Sequence, residues 1–496
     1  MGETHKKKVI VVGSGNAALC AGIAALDGGA DVTIIEKGNE AEAGGNSKYT
    51  AGAMRFVYES NDDLYPLLLN PDDERIPKTE FGSYTKEKFE KDLLGFNDGR
   101  PISMHQRILI DHSYDTMRWL GTHNVRFEPI YSRQTFEKDG KYIFWGGLTL
   151  ASRGEGVGMI EDELKEFLRL GGSIQYETEG ISLMLENGKV CGIKAKGPEG
   201  EIEIEADSVI LGSGGFEASE KMREKYMGQK WGKSKVRGTP HNTGKGIEMA
   251  IEAGGVFHGN PEGCHAVPMD MNMPNYGNLE IPYIDRKNYR KICYFLGVML
   301  NAEGERFVDE GINFRNYTYA QFGKAILNQT GNFAWQVFDQ KVDHLLYGEY
   351  KFWDASFVEA DTLEELVQQL DGVDKEKAMA TLHTYNEAVD KEIPFDPTVL
   401  DGKATKGLSL NKTNWANVLD TPPFKAYPVT CGITFTYGGL KVDEGAAVLN
   451  EKGERIEGLF ACGELVGGVF YNGYPGGSGL TSGAVFGRLA GQSAAN

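Results

Sequence analysis

The sequence predicts an α/β protein in which an alternating strand-helix domain is interrupted by an inserted α+β domain and completed by the C-terminal segment. Three observations carry this. The chain opens as apolar strand, glycine turn, small-residue helix and second strand between Lys8 and Lys37. From about Gly255 to Thr434 aromatics, asparagine and charge rise and glycine turns thin out, and from Gly438 onward the glycine-rich style returns. The predicted division is therefore 1–254, 255–434 and 435–496.

The opening unit carries its own chemistry. Gly13-Ser14-Gly15-Asn16-Ala17-Ala18 fits the GxGxxG/A dinucleotide fingerprint. Gly13 allows the tight turn, Gly15 lets backbone approach a pyrophosphate, and Ala18 lets the helix lie close on the strand. Glu36 lies about 20 residues on, where an acid accepts hydrogen bonds from ribose hydroxyls. The helix N-terminus offers NH groups and a positive dipole end to phosphates. Strand, helix, strand and acid in register favour a Rossmann-like dinucleotide site over an ordinary turn.

Further along, Gly44 to Gly52 forms a second small and polar loop. Glu161 to Leu170 has helical periodicity, while Ser173 to Thr178 and Gly192 to Lys196 read as short strands. Ala206 to Phe216 is a buried strand ending in glycines, and a polar turn and helix follow at Thr243 to Ala250. A helix is predicted from Thr362 to Val389. Gly458 to Glu464 then repeats the strand-glycine pattern, and Gly473 to Gly483 leads into a helix of small residues.

Composition excludes several classes. The 496 residues carry 52 Lys+Arg against 71 Asp+Glu, a net charge of −19, so nucleic acid is not an expected partner. No apolar run approaches the roughly 20 residues that span a bilayer. Lys6 to Lys8 precede an apolar run, but it breaks at Gly13, so it reads as a strand and not a signal peptide. Cys20, Cys191, Cys264, Cys293, Cys431 and Cys462 are scattered without a CxxC pair. This argues against a metal or iron-sulfur site and for reduced thiols in the cytoplasm.

In this order the segments resemble the fumarate reductase/succinate dehydrogenase flavoprotein superfamily, which includes the 3-ketosteroid Δ1-dehydrogenases. The resemblance spans essentially the whole chain. It implies FAD as cofactor, a Rossmann-like FAD-binding domain, and an inserted capping domain for substrate. Residues matching the family's FAD contacts are Gly13, Gly15, Asn16, Ala17, Ala18, Glu36, Lys37, Gly44, Gly45, Asn46, Ser47, Thr50, Ala51, Gly52, Gly180, Ser213, Gly214, Gly463, Glu464, Ser478, Gly479, Leu480 and Thr481. Ser47 and Thr50 are expected to donate towards phosphate or flavin, and Glu464 suits the ribityl chain. The loop Gly44 to Gly52 lacks the histidine that attaches FAD in the membrane-complex members, so noncovalent FAD is implied. The wording of GGNSKYTAGAMRF, GERFVDEGINFRNYTYA and GYPGGSGLTSGAVFGR is most similar to the tricarballylate dehydrogenase branch. That branch implies hydride transfer between flavin N5 and a carbon-carbon bond beside a carboxylate or ketone. A separate electron carrier is implied as well: a quinone, an iron-sulfur partner, or oxygen.

Such chemistry needs donors for the electron-withdrawing group and a proton-transfer residue. Arg315 lies in the segment carrying the family's proton-shuttling arginine. A guanidinium stays charged, so a carboxylate clamp suits it better than a base; the structural alternative is an ion pair with Glu310 or Asp309. Phe435 stands where fumarate reductases have a substrate-binding histidine, and Tyr474 where they have a carboxylate-binding arginine. Both departures count against fumarate reduction. Tyr474-Pro475-Gly476-Gly477 is instead similar to the steroid dehydrogenase loop whose tyrosine polarises a ketone. Arg55, just after the flavin loop, is a candidate to hold a second carboxylate. Tyr437, Tyr317 and Tyr319 are candidate donors, with packing the commoner fate of any one of 22 tyrosines. His241 and His265 are candidate acid-base groups, again against the commoner structural role.

Three functions follow. The first is an FAD-dependent desaturase or reductase acting beside a carboxylate, as the tricarballylate branch does; a fumarate reductase is its near variant. The second is a ketone-directed desaturase or ene-reductase. The third is a flavin-binding protein without turnover.

Overall fold

A computed structural model describes residues 6–144, 146–276 and 280–496. The chain divides into two compact units. The first comprises Met1–Met227, Gly238–Cys264 and Phe435–Asn496, and the second Gly228–Arg237 and His265–Thr434. The inserted unit thus begins at His265 and not at Gly255, because Phe257 and His258 pair antiparallel with Leu440 and Gly439 of the first unit. It also takes in Gly228–Arg237, since Lys235 and Val236 pair parallel with Gly432 and Ile433.

The first unit is built on a six-stranded sheet. Its opening βαβ consists of β1 (Lys8–Val12), α1 (Asn16–Asp27) and β2 (Asp31–Ile35). Then come α2 (Glu155–Arg169), β3 (Ser173–Gln175), an antiparallel meander β4 (Glu179–Glu186), β5 (Lys189–Gly197) and β6 (Gly200–Glu205), and β7 (Ser208–Leu211). The C-terminal segment adds β8 (Ala447–Leu449), β9 (Arg455–Ala461) and α3 (Ser478–Ala495). Strand order across the sheet is β8-β9-β7-β1-β2-β3. All pairs are parallel except β8 with β9. Residues Val9 to Val12 are buried, as expected of a central parallel strand covered on both faces.

The small residues of α3 explain how a C-terminal helix completes an N-terminal motif. Gly487 and Gly491 lie on one face, and a Cβ at either would sit 2.3 or 2.2 Å from the Ala17 or Ala21 carbonyl oxygen of α1. Only glycine lets the two helices approach so closely. A change to alanine at Gly487 would separate them and disturb the α1 N-terminus.

In the second unit the long strand Phe424–Thr436 pairs antiparallel with Phe333–Phe338, which pairs in turn with Val298–Leu300. Leu300, Val337, Leu366, Val367, Leu382 and Ala426 fill one core. The helix predicted over Thr362 to Val389 is two, Leu363–Gln368 and Lys375–Ala388. Gly372, at φ +75°, breaks it, and the Asp374 carboxylate caps the second helix by accepting from the Lys377 NH. The helix Arg315–Leu327 buries Phe322, Ile326 and Leu327. Its first residue is the arginine singled out above.

Candidate functional site

The first unit forms a backbone-lined cradle. Gly13 sits at φ +100°, and a Cβ there would be 2.6 Å from the Gly212 carbonyl oxygen. Ala18 packs in the same manner, 2.9 Å from an imagined Cβ on Gly212. Helix α1 starts at Gly15 with no capping side chain and no acid in its first turn. With the Asn16 NH held by Ser47 Oγ, the NH groups that follow it in the first turn are left for an anion. Opposite stand Gly44 and Gly45, both at positive φ. A Cβ on Gly45 would meet only the Gly15 Cα, at 3.9 Å, and one on Gly15 only the Gly44 oxygen and Ser47 Oγ at 3.6 Å. The two glycine loops thus lie within van der Waals reach of each other, backbone against backbone, with no side chain but Ser47 between them.

The surrounding contacts fix these loops. Ser47 Oγ accepts from the Asn16 NH at 3.2 Å, and Asn16 Nδ2 donates to the Leu480 carbonyl at 2.8 Å. Thr50 was expected to donate to the ligand; its hydroxyl instead donates to the Ser47 carbonyl at 2.8 Å and accepts from the Gly52 NH at 3.1 Å, closing the Ala51 turn. Glu36 is buried, with Oε2 accepting from Ser14 Oγ at 2.5 Å and Oε1 from the Gly38 NH at 2.7 Å. Lys37 turns outward to Glu179 at 2.9 Å. Gly180 and Gly463 permit packing: their Cβ positions lie 2.9 Å from Ile193 and 2.6 Å from Ala17. Ser213 Oγ lies against Gly246, and Gly214 at φ +74° against the Asn242 amide. At the start of α3, Ser478 Oγ donates to the Pro475 carbonyl, Thr481 Oγ1 to the Gly477 carbonyl, and Gly479 faces Tyr474.

Three of the substrate-side candidates meet in this same unit. Phe435, Tyr437 and Tyr474 have ring centroids 5.9–6.0 Å apart. Phe470 completes the cluster, 4.5 Å from Tyr474; nothing in the sequence had singled it out. Arg55 has a different task from the one expected. Its guanidinium is fully buried, and it donates from Nε to the Gly476 carbonyl at 2.7 Å and from Nη1 to the Gly146 carbonyl at 2.6 Å. It therefore ties down the Tyr474 loop. His241 also lies apart from the aromatic cluster, since its ring borders Gly38 beside Glu36.

The second unit gathers cations. His265 is buried, and burial, then Arg237 and Arg290, hold its imidazole well below the usual histidine range. It is neutral at neutral pH. Its ring meets Tyr319 edge-on at 4.8 Å. Arg290 is buried and pairs through Nη2 with Glu349 at 2.6 Å, while its Nε has no hydrogen-bond partner among the described residues. Arg315 lies over the Tyr347 ring at 4.8 Å, and its buried Nη2 likewise has no partner among them. The alternative, an ion pair with Glu310 or Asp309, is not formed among the described residues, and Glu310 is taken by Arg306 at 2.5 Å. Tyr317 follows on the same helix, half-buried, with its NH bonded to the Phe314 carbonyl. Buried guanidinium donors without acceptors are suited to a carboxylate.

Among the described residues no helix is long and apolar enough to cross a membrane. None of their His, Cys, Asp and Glu side chains form a group of three that could hold a metal.

The FAD binding domain family matches residues 8–480. Among curated relatives is a fumarate reductase (cytochrome) from Shewanella frigidimarina, 28% identical over 98% of this chain and 76% of the relative. An NADH:acrylate oxidoreductase from Vibrio harveyi is also 28% identical over 98% of this chain, which spans 50% of it. Among solved structures, 3-ketosteroid Δ1-dehydrogenase from Sterolibacterium denitrificans has a TM-score of 0.75 at 21% identity, covering 99% of this chain and 100% of that one; it shares the fold.

Proposed function

The chain belongs to the FAD binding domain family and is an FAD-dependent oxidoreductase acting on carbon-carbon bonds, and from that premise we propose that it adds hydrogen to, or removes it from, the bond next to a carboxylate. Bound FAD supplies the hydride acceptor or donor. The cradle of Gly13, Gly15, Gly44 and Gly45 would hold its diphosphate, and Glu36 its ribose. The observations carrying the carboxylate are His265 with Arg237 and Arg290 acting on it, and Arg315, with two buried guanidinium nitrogens, Arg290 Nε and Arg315 Nη2, lacking acceptors among the described residues.

A carboxylate there is held by charge-assisted hydrogen bonds, each contributing about 1.5–3 kcal/mol. Burial first, and then the Arg237 and Arg290 guanidinium charges, hold His265 below its usual range, and the carboxylate's negative charge offsets the second cause. Carboxylate binding thus raises the affinity of His265 for a proton, as a proton donor to a bound carboxylic acid requires. A tricarballylate-type polycarboxylate and a fumarate-type substrate are the finer alternatives. The aromatic group Phe435, Tyr437, Phe470 and Tyr474 supports a second reading, a ketone-directed enzyme in which Tyr474 donates to carbonyl oxygen. Electrons would come from or go to a separate carrier, and the free thiols support the cytoplasm as compartment.

The test is anaerobic mixing. Oxidised protein is mixed with tricarballylate and a cyclic ketone, and photoreduced protein with fumarate, acrylate and a cyclic enone, while the visible flavin band is followed. Reaction with a carboxylate and not with the ketone or enone is expected. Reaction with the cyclic compounds alone would favour the second reading, and no reaction at all would leave a flavin binder without turnover.

A further inference from the structure

Two carboxyl groups lie buried against each other at the Gly463-Glu464 turn. Glu217 has no solvent exposure, and Glu464 is 9% exposed. Glu217 Oε1 accepts from Asn46 Nδ2 at 2.5 Å and from Asn242 Nδ2 at 2.7 Å. Glu464 Oε1 accepts from the Thr436 NH at 2.6 Å and from its Oγ1 at 2.9 Å. Those donors occupy one oxygen of each carboxyl group. The side chains also stand within hydrogen-bonding reach of one another, and Glu217 Oε2 has no other partner among the described residues.

Two carboxylate oxygens cannot bond without a hydrogen between them, and two adjacent buried negative charges are costly. Among the described residues no cation pairs with either carboxylate. Arg223, from the helix Glu220–Met227, reaches the same segment but gives its Nη1 hydrogen to the Glu217 backbone carbonyl at 2.5 Å. The other groups on this pair, from the Gly44 to Gly52 loop, the turn before Lys245 and the end of the strand Phe424–Thr436, are neutral amides and a hydroxyl.

We propose that Glu217 and Glu464 form a one-proton site within the cofactor-binding unit: Glu217 carries the hydrogen on Oε2 and donates it to Glu464, so the pair holds a single negative charge through the neutral range. The neighbours fit that assignment. Glu464 receives two donors on Oε1 and is the better-stabilised anion, whereas Glu217 has only amide donors, on its other oxygen. The pair also bonds the Gly44 to Gly52 loop, through Asn46, to the Gly463-Glu464 turn. Losing the shared hydrogen in alkaline solution sets two carboxylates against each other at the point joining those loops. The site thereby sets an alkaline limit on cofactor retention.

Glu217→Gln reproduces the neutral acid, because its amide NH2 can donate to Glu464 while its oxygen keeps both asparagine bonds. The holoprotein is made with glutamate carrying a heavy carboxyl carbon, and infrared spectra are recorded at neutral pH. Flavin release and unfolding are then followed as pH rises. The E217Q spectrum is expected to lack a protonated-glutamic-acid band that the parent shows. The sign of the pH effect follows from the retained proton: the folded parent keeps it above the ordinary glutamate range while the unfolded chain does not, so raising pH costs the parent stability. Its unfolding constant should therefore rise about tenfold per pH unit relative to E217Q until the pair ionises, and E217Q should retain flavin to higher pH. Identical acid bands, or parallel pH profiles, would overturn the proposal. Glu163 is a second buried acid pushed well up by burial. Should E217Q fail to fold, a Glu163→Gln protein must still show a protonated-glutamic-acid band at neutral pH, and its absence would equally overturn the proposal.

Discussion

Arg55→Met decides between a loop clamp and a substrate ligand. The substitution keeps an unbranched buried stem and removes hydrogen bonds of 2.7 and 2.6 Å to the Gly476 and Gly146 carbonyls. Hydrogen bonds to a charged group contribute about 1.5–3 kcal/mol each, and the cost of burying the cation offsets part of their sum. Asp92, 3.9 Å from Nη1, keeps access to water and adds little. Removing the guanidinium strands two carbonyl oxygens, so the expected net loss is about 3–5 kcal/mol, from about 1–3 kcal/mol for each buried acceptor left unsatisfied. That is roughly two to four orders of magnitude in the unfolding constant of the first unit. Urea unfolding of the holoprotein, followed by flavin fluorescence, measures it. Arg55→Lys, which keeps the charge but not the two-pronged geometry, should fall between parent and methionine variant. An Arg55→Met protein that unfolds at the parental urea concentration, while binding a carboxylate much more weakly, would refute the clamp and restore the substrate role.

Other consequences are as direct. Gly13→Ala forces a Cβ to 2.6 Å from the Gly212 oxygen at φ +100°; strain of about 1–3 kcal/mol should weaken FAD binding by roughly 5- to 150-fold, read as the flavin-to-protein ratio after dialysis. Arg315→Ala should weaken carboxylate binding by about 10- to 150-fold, measured by perturbation of the flavin spectrum, with little loss of stability because Nη2 has no acceptor to strand among the described residues. His265 is held below its ordinary value, so as pH falls past about 6.5 the unfolded chain takes up a proton that the folded one refuses. Parent stability should then drop by about 1.4 kcal/mol per pH unit, and His265→Asn should lack that part of the slope in urea unfolding at pH 7 and pH 5.5.

What could be read from the sequence was what local sterics dictate. Gly13, Gly15 and Ala18 each answer a requirement met within a few residues, and so declared the cofactor unit and its orientation. Glu36, Gly44 and Gly45 followed because their neighbours in space are the same short motif. The proposed carboxylate-binding residues were not legible in this way: 237, 265, 290 and 315 come from four separated segments that only the fold gathers into one unit. Arg55 was misread for the same reason. Its position after the flavin loop suggested a ligand, whereas its acceptors, Gly146 and Gly476, are remote in the chain. Glu217 follows a glycine turn in the sequence, and only the fold places Glu464 beside it.

The central claim is that a carboxylate directs this flavoenzyme to its carbon-carbon bond. It is tested most directly by rapid anaerobic mixing of the photoreduced protein with acrylate and, separately, with methyl acrylate, which has the same double bond but no charge. Reoxidation of the flavin by acrylate at least ten times faster than by the ester is predicted, from the loss of at least one charge-assisted hydrogen bond of about 1.5–3 kcal/mol. Equal rates, or a faster ester, would contradict the account.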